Sequence, residues 1–250
     1  MIQVNNITKS FDGVQVLNDV SITFEEGKTN LIIGQSGSGK TVLLKCIVGL
    51  HEIDTGEILF DNEDFSKMNF KQRKAIRKEI GMVFQGGALF DSASVEENIM
   101  YPLDMFTNQA REEKLDRVYF CLQKVKIENA GKKYPSELSG GMRKRVAIAR
   151  AIALNPKYLL CDEPNSGLDP KTSIVVDNLI KEITNEFKMT TIINTHDMNS
   201  VVEIGDQVVF INKGVKSWEG SSEDIFISDN KDMNDFVFAS KLYKEIRKMK

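Results

Sequence analysis

The segment TNLIIGQSGSGKT, residues 29–41, decides the fold of this chain. The apolar run TNLII has the length of a buried strand, and VLLKCIVGL follows the loop as a helix that is apolar on most faces. The loop fits the pattern G-x-x-x-x-G-K-[ST] between a strand and a helix. Gly34, Gly37 and Gly39 permit tight turns, so that consecutive backbone N–H groups can wrap a phosphate. The segment therefore predicts a phosphate-binding loop in an α/β fold.

Two side chains at the end of this loop suit a nucleotide. Lys40 can supply a cation to the β- and γ-phosphates, and the Thr41 hydroxyl can bind Mg²⁺. The loop by itself does not distinguish a transport ATPase from a kinase or a GTPase. Further residues are needed to identify the reaction.

Three other apolar runs of strand length, IGMVFQ, YLLCDE and TTIINTH, each end in polar residues. The carboxyl ends of the strands in an open α/β sheet form the binding edge, so we expect Gln85, Asp162, Glu163 and His196 to converge there. Asp162 is predicted to hold Mg²⁺, and Glu163 to polarise the attacking water as a general base. The second acid argues against a small switch-type GTPase.

The run ELSGGM, residues 137–142, opens a basic helix, RKRVAIARAIAL. Ser139, Gly140 and Gly141 at a helix start leave N–H groups free for an anion, where the helix dipole also favours negative charge. One nucleotide does not need two phosphate cradles from one subunit. The pair makes sense if two copies hold each nucleotide between them, with the loop of one facing the signature of the other.

These motifs and their order resemble those of ABC-type ATPases, from the first strand to about residue 220. The resemblance implies that Gln85 lies near Mg²⁺ and the attacking water, that His196 contacts the γ-phosphate, and that the turn at residues 166–169 reaches the partner's site. Catalysis is thereby assigned to Lys40, Gln85, Glu163 and His196, and Mg²⁺ binding to Thr41, Gln85 and Asp162. The nucleotide contacts implied are Phe11, which stacks on adenine, Val16, Gly34, Gln35, Ser36, Gly37, Ser38, Gly39, Lys40, Thr41 and Val42, with Ser139, Gly140 and Gly141 serving the nucleotide of a second copy.

The resemblance also implies the domain organisation. We expect an α/β P-loop NTPase of ABC type, with a RecA-like core, an antiparallel β subdomain and an inserted helical subdomain that carries the signature at about residues 87–155. The ATPase domain is predicted to span residues 1–220, and residues 221–250 to form a C-terminal helical extension. Its last ten residues carry five Lys or Arg, which we interpret as a solvated helix end.

Two departures bear on the type of transporter. Met142 stands where the family commonly has Gln, and Asn165 where it commonly has Thr. Together with FQGGALFDSASVEENI at residues 84–99, Met142 resembles the ATPases of Mla-type phospholipid transporters, which implies an MCE-domain lipid-binding partner. Membrane permease subunits are expected to dock near Ala88, Leu89, Phe90 and Asp91.

Two alternatives were considered: the ATPase of a different ABC transporter and an ABC ATPase that does not serve transport. The ATPase of an amino-acid or other small-solute importer shares every catalytic motif. A soluble non-transport ABC ATPase usually carries two ATPase units or a long coiled-coil insertion, and neither pattern occurs in these 250 residues.

Composition sets broad limits. The chain is 41% hydrophobic and 28% charged, as in ordinary soluble domains, and its net charge of −3 gives no reason to expect nucleic acid as a partner. The sequence shows no leader pattern and no window near the roughly 18 apolar residues of a membrane helix. The three cysteines have no metal-ligand spacing and are expected to be reduced and buried. We therefore predict a peripheral protein on the cytoplasmic face of the inner membrane.

Overall fold

Two β-sheets organise the chain in the computed structural model, which describes residues 1–238. The strands are β1 (Ile2–Phe11), β2 (Val14–Phe24), β3 (Thr29–Ile33), β4 (Thr55–Phe60), β5 (Glu63–Asp64), β6 (Ile80–Val83), β7 (Tyr158–Asp162), β8 (Thr190–Asn194), β9 (Gln207–Asn212) and β10 (Val215–Gly220). The helices are α1 (Lys40–Ile47), α2 (Phe70–Lys78), α3 (Val95–Phe106), α4 (Arg111–Lys124), α5 (Gly140–Ala151), α6 (Pro170–Phe187), α7 (Met198–Ile204) and α8 (Lys231–Val237).

The first sheet is antiparallel, with strand order β2-β1-β4-β5. Its hairpins turn on residues that accept a left-handed backbone. Asp12 and Gly13 have φ of 48° and 80°, and Asp61 and Asn62 have φ of 46° and 71°. Two successive residues with positive φ match the right-handed twist of the strands they join.

The second sheet has the order β10-β9-β3-β8-β7-β6 and is parallel except for β10. Both of its faces are covered, which explains the continuous apolar runs in the sequence. Leu31 and Leu159 belong to the core shared with α3–α7, whereas Ile32 and Leu160 belong to the core shared with α1 and the first sheet. The parallel strands bring their carboxyl ends to one edge, as the sequence predicted.

Helices α3, α4 and α5 lie in the chain between β6 and β7 and pack on one another. Ser94 and Glu97 form a capping box at the start of α3, and Ser139 caps α5. Helix α5 also packs against β6 and α6, so the helical segment is joined to the parallel sheet. The proposed domain limits at residues 87–155 and 220 remain predictions.

The part of the C-terminal segment that the structure describes contains a 3₁₀ turn at Asp224–Phe226 and helix α8. The predicted basic helix end lies outside the described residues. Within residues 1–238, none of the helices combines the length and the apolar character needed to cross a membrane. Cys46, Cys121 and Cys161 are free and buried, as expected.

One buried amide holds the loop between β6 and α3. Nδ2 of Asn98 donates to the carbonyls of Phe90, Ala93 and Ser94 at 3.0–3.1 Å, and its Oδ1 accepts from the Phe90 N–H at 2.8 Å. Asn98 is fully buried. The loop therefore depends on this side chain for its backbone hydrogen bonds.

Replacement of Asn98 by Ala should lower the free energy of unfolding by about 3 kcal/mol, since the Phe90 N–H and the Ala93 carbonyl lose their hydrogen-bond partner and a buried side chain is removed. Urea unfolding followed by circular dichroism measures this change. Asn108→Ala is the matched control, because Asn108 is exposed, and we expect it to change stability by less than about 0.5 kcal/mol. Equal effects of the two substitutions would contradict the role given to Asn98.

Candidate functional site

The glycine-rich loop has the backbone that its sequence predicts. Gly34 has φ of 149°, and a Cβ there would lie 2.2 Å from the carbonyl oxygen of Ile211. Gly39, the residue before α1, has φ of 106°, and a Cβ there would lie 3.1 Å from the carbonyl oxygen of Val16. Both positions therefore require glycine for conformation and for space. The loop ends at the N-terminus of α1, which favours an anion.

Lys40 lies against this loop. Its Nζ donates to the carbonyl oxygens of Gly34 at 2.8 Å and of Gln35 at 3.0 Å. Burial lowers the pKa of Lys40, and the nearby carboxylates of Glu163 and Asp162 act in the opposite direction. The site thus holds a buried ammonium group close to two acids, where a phosphate can bind.

Asp162 and Thr41 are in direct contact. The Thr41 hydroxyl donates to Oδ1 of Asp162 at 3.0 Å, and Nδ2 of Asn194 donates to the same oxygen at 3.1 Å. A hydroxyl and a carboxylate are the oxygen ligands that Mg²⁺ prefers, so these residues fit the ion. Asn194 was not singled out from the sequence, although it ends the strand TTIIN.

The Glu163 carboxylate is held from two sides. Nε2 of Gln85 donates to its Oε2 at 2.8 Å, and Nδ1 of His196 lies 3.0 Å from its Oε1. Glu163 has φ of 46°, an uncommon conformation for a residue other than glycine. The structure therefore brings together the three groups that the sequence placed at the ends of β6, β7 and β8.

These groups open onto one cavity of about 800 Å³. Gly34, Ser38 and Asp162 are buried and are not part of its surface. Phe236, in α8, was not predicted to line it, because the sequence after residue 220 has only a weak pattern. The lining residues are Val16, Gln35, Ser36, Gly37, Gly39, Lys40, Thr41, Val42, Gln85, Glu163, His196 and Phe236.

Phe11, the predicted adenine-stacking residue, lies at the end of β1 and is 37% exposed. Its ring makes an edge-to-face contact with His51 at 5.1 Å, and the ammonium group of Lys9 lies 5.2 Å from its centre. His51 had no role in the sequence analysis, and the structure places it beside Phe11. The ring is not among the residues that line the cavity, so adenine stacking remains a prediction.

The signature residues form the start of α5. The hydroxyl of Ser139 accepts from the Met142 N–H at 3.3 Å, and a Cβ on Gly141 would lie 2.4 Å from Cγ2 of Thr172 in α6. The described residues that line the cavity do not include Ser139, Gly140 or Gly141. This arrangement fits a signature that serves the nucleotide of a second copy.

Lys144, also in α5, was missed by the sequence analysis. Its Nζ donates to the backbone carbonyl of Gln85 and lies 3.5 Å from that of Glu163. The side chain is buried, which lowers its pKa. Lys144 therefore joins the signature helix to the loops of two catalytic candidates in the same chain. A lysine on an otherwise apolar helix face was the available signal.

The predicted docking loop borders a cavity of about 300 Å³, which Ala88, Phe90 and Tyr101 help to line. The Phe90 ring lies 4.7 Å from that of Tyr101, and the Arg150 guanidinium donates to the carbonyl of Ala88 at 2.7 Å. Leu89, in contrast, packs against the helical core, so it does not belong to the groove. Asp91 is exposed.

Comparison with known proteins agrees with this geometry. The family model described as "ABC transporter" matches residues 17–166. The methionine import ATP-binding protein MetN of Clostridioides difficile (strain 630) is 39% identical over 237 residues, which are 95% of this chain and 74% of that protein. MetN of Campylobacter jejuni is 37% identical over 261 residues, covering 98% of this chain and 78% of that protein.

Solved structures show the same fold. The dimeric ABC transporter cassette MJ0796 superposes with a TM-score of 0.82 at 33% identity and covers 89% of this chain and 99% of its own. CbiO1 of Clostridium perfringens, part of the CbiONQ transporter complex, gives a TM-score of 0.84 at 29% identity, over 99% of this chain and 97% of its own. The predicted α/β cassette fold is confirmed. The chain therefore belongs to the family of ABC transporter ATP-binding subunits, which bind ATP with Mg²⁺ and hydrolyse it to drive transport.

Proposed function

We propose that this chain is the ATPase subunit of an importer for methionine or a similar small amino acid, and that it works as a homodimer beneath membrane permease subunits on their cytoplasmic side. The observation that carries the cargo class is the 39% identity to a methionine import ATP-binding protein over 95% of the chain. Amino-acid or other small-solute import was the alternative that the shared catalytic motifs allowed. The relatives support that alternative better than phospholipid transport.

Phospholipid transport stays a second candidate because of two features of the sequence. Met142 and the run at residues 84–99 resemble Mla-type ATPases, and the Met142 side chain packs against the helical core beside the signature. No relative reported above is a lipid transporter or an MCE-domain system. Amino-acid import is therefore the main proposal.

In the proposed reaction, Glu163 is the general base. Its carboxylate contacts Gln85 and His196, so its orientation is fixed before a water molecule approaches. Lys40 and the backbone N–H groups of the glycine-rich loop are proposed to bind the phosphates of ATP, and His196 to contact the terminal phosphate. Phe11 and Val16 are proposed to contact the adenine ring of ATP.

Thr41 and Asp162 are proposed to hold Mg²⁺, with Gln85 close by. When bound, the ion supplies positive charge to the phosphate oxygens. Gln85 directs its Nε2 at Glu163, which leaves its amide oxygen for another partner. Lys144 fixes the backbone of this same residue from the signature helix.

The dimer is proposed to close with the glycine-rich loop of one copy facing Ser139, Gly140 and Gly141 of the other. ATP shifts the equilibrium toward the closed dimer because it contacts both copies only in that state. Loss of the terminal phosphate removes the shared charge and lets the dimer open. The groove beside Ala88 and Phe90 is proposed to pass this change to the permease.

Replacement of Glu163 by Gln should lower ATP turnover by about 10³-fold or more, equivalent to about 4 kcal/mol of barrier, because an amide cannot accept the proton of water. Steady-state phosphate release measures turnover, and calorimetry should give an ATP affinity close to that of the wild type. Glu182→Gln is the matched control, since Glu182 is exposed on α6, pairs with Lys126 and does not line the cavity. Near-normal turnover of Glu163→Gln would exclude Glu163 as the general base.

Replacement of Ser139 by Arg should prevent ATP-dependent dimer formation while each monomer still binds ATP, because a bulky cation then occupies the signature. Light scattering after size exclusion, in a Glu163→Gln background with ATP, measures the dimer fraction. Ser139→Ala is the matched control, and we expect it to remove a helix cap worth about 1 kcal/mol and to leave dimers detectable. Dimers of Ser139→Arg at wild-type level would argue against the composite site.

The cargo is tested in cells whose chromosomal copy carries Glu163→Gln. Amino-acid import predicts that uptake of radiolabelled L-methionine falls by about tenfold or more, since the permease loses its motor. A plasmid-borne wild-type copy serves as the control. Normal methionine uptake, combined with a changed distribution of phospholipids in the cell envelope, would favour the lipid transport candidate.

A further inference from the structure

A closed set of hydrogen bonds lies behind the catalytic residues. Nδ2 of Asn165 donates to the two carboxylate oxygens of Asp177 at 3.1 and 3.3 Å and to Oγ of Ser200 at 2.9 Å. The Ser200 hydroxyl in turn donates to Oδ2 of Asp177 at 2.7 Å. The exposed fractions of Asn165, Asp177 and Ser200 are 7%, 3% and 1%. We refer to these three residues as the Asn165 cluster.

The cluster joins three separate elements. Asn165 lies in the turn two residues after Glu163, Asp177 lies in the middle of α6, and Ser200 lies in α7, four residues after His196. Each hydrogen bond of the cluster therefore runs between two of these elements. The relative positions of the Glu163 turn and the His196 segment depend on it.

The turn itself is fixed around Asn165. The Ser166 N–H donates to the carbonyl of Glu163 at 3.1 Å, and the Leu168 N–H donates to that of Asn165 at 3.2 Å. The hydroxyl of Ser166 lies 3.4 Å from Nε2 of Gln85, the same nitrogen that contacts Glu163. Movement of Asn165 would thus displace Ser166 and, through it, the contact between Gln85 and Glu163.

The cluster is costly to bury. The pKa of Asp177 is raised to about 6, chiefly by burial and also by the acids Asp197, which caps α7, and Glu203, which lies in α7. The hydrogen bonds from Ser200 and Asn165 act in the opposite direction, and Cys161 of β7 faces the group from the sheet. Apolar residues would fill this position at lower cost. The hydrogen-bond partners of this buried carboxylate come from other elements, so the carboxylate is satisfied only when those elements keep one defined arrangement.

We propose that the Asn165 cluster is a positioning device for hydrolysis: it holds the Glu163 turn and the His196 segment in the arrangement that the reaction uses. It acts through Glu163 and His196 and does not contact ATP. This inference deepens the proposed function and rests on the roles given there to those two residues. Its loss should lower kcat and leave the affinity for ATP unchanged.

The test uses Ser200→Ala, Asn165→Asp, Asp177→Asn and the double swap Asn165→Asp/Asp177→Asn. Ser200→Ala removes a hydroxyl donor, Asn165→Asp places two carboxyl groups together, and Asp177→Asn places two amides together. The double swap again pairs one amide with one carboxylate. We expect the single variants to lose about tenfold in kcat at unchanged ATP affinity, and the double swap to recover most of that loss. Turnover per folded protein and calorimetric ATP binding are the measurements.

Thr184→Val is the matched control for stability. The Thr184 hydroxyl is equally buried in α6 and is paired with the Ile180 carbonyl and the Thr191 hydroxyl, away from the Glu163 turn. It should lower the unfolding midpoint without lowering kcat. If Thr184→Val and Ser200→Ala reduce kcat alike, the cluster contributes only to stability.

The pH profile gives an independent readout. The carboxyl of Asp177 becomes neutral as pH falls through about 6, so the wild type then resembles Asp177→Asn at this position. The ratio of wild-type to Asp177→Asn turnover should fall as the pH is lowered from about 7.5 to about 5.5, while the titration of groups common to both proteins cancels in the ratio.

A constant ratio, or full kcat in Ser200→Ala and Asp177→Asn, would overturn the inference. Normal turnover of Glu163→Gln would instead overturn the proposed function, so the two failures are distinct.

Discussion

The contact of Glu163 with Gln85 and His196 is the constraint on which the site depends. A carboxylate can activate water only if it is oriented and not neutralised by the nearest cation. Lys40 lines the same cavity as Glu163, but its Nζ donates to the carbonyl oxygens of Gly34 and Gln35 and not to the Glu163 carboxylate. Glu163 instead contacts an amide and an imidazole. The arrangement separates phosphate binding from proton removal, although both groups line the same cavity.

The parallel sheet makes this contact possible. Gln85 follows β6, Glu163 follows β7 and His196 follows β8, and these strands are adjacent in the sheet. Because parallel neighbours end at the same edge, residues separated by up to 78 positions reach hydrogen-bond distance without a long loop. The two apolar cores on opposite faces of the sheet hold these strand ends in register. Stability and catalysis therefore depend on the same packing.

Sequence patterns predicted the fold and the groups that meet at the candidate site because each of these features follows a local rule. Gly34 and Gly39 were predicted from the backbone geometry that a phosphate-binding loop requires. Asp162 and Glu163 were predicted because two acids follow an apolar strand. Lys144, Asn194 and Phe236 were missed, since their importance comes from partners far away in the chain. Leu89 was among the residues near which the permease was expected to dock, and the structure packs its side chain against the core.

The cargo depends on a different kind of information. The catalytic residues bind a nucleotide that every member of the family shares, so they do not discriminate between an amino acid and a lipid. Surfaces that face the permease can differ with the cargo, and the groove beside Ala88, Phe90 and Tyr101 is the one proposed for that contact. Lys144 ties the signature helix to Gln85, and Arg150 of the same helix holds the Ala88 carbonyl. Helix α5 thus contacts both the loop of Gln85 and the groove wall, so in the proposed mechanism it is the element that connects ATP hydrolysis with the permease.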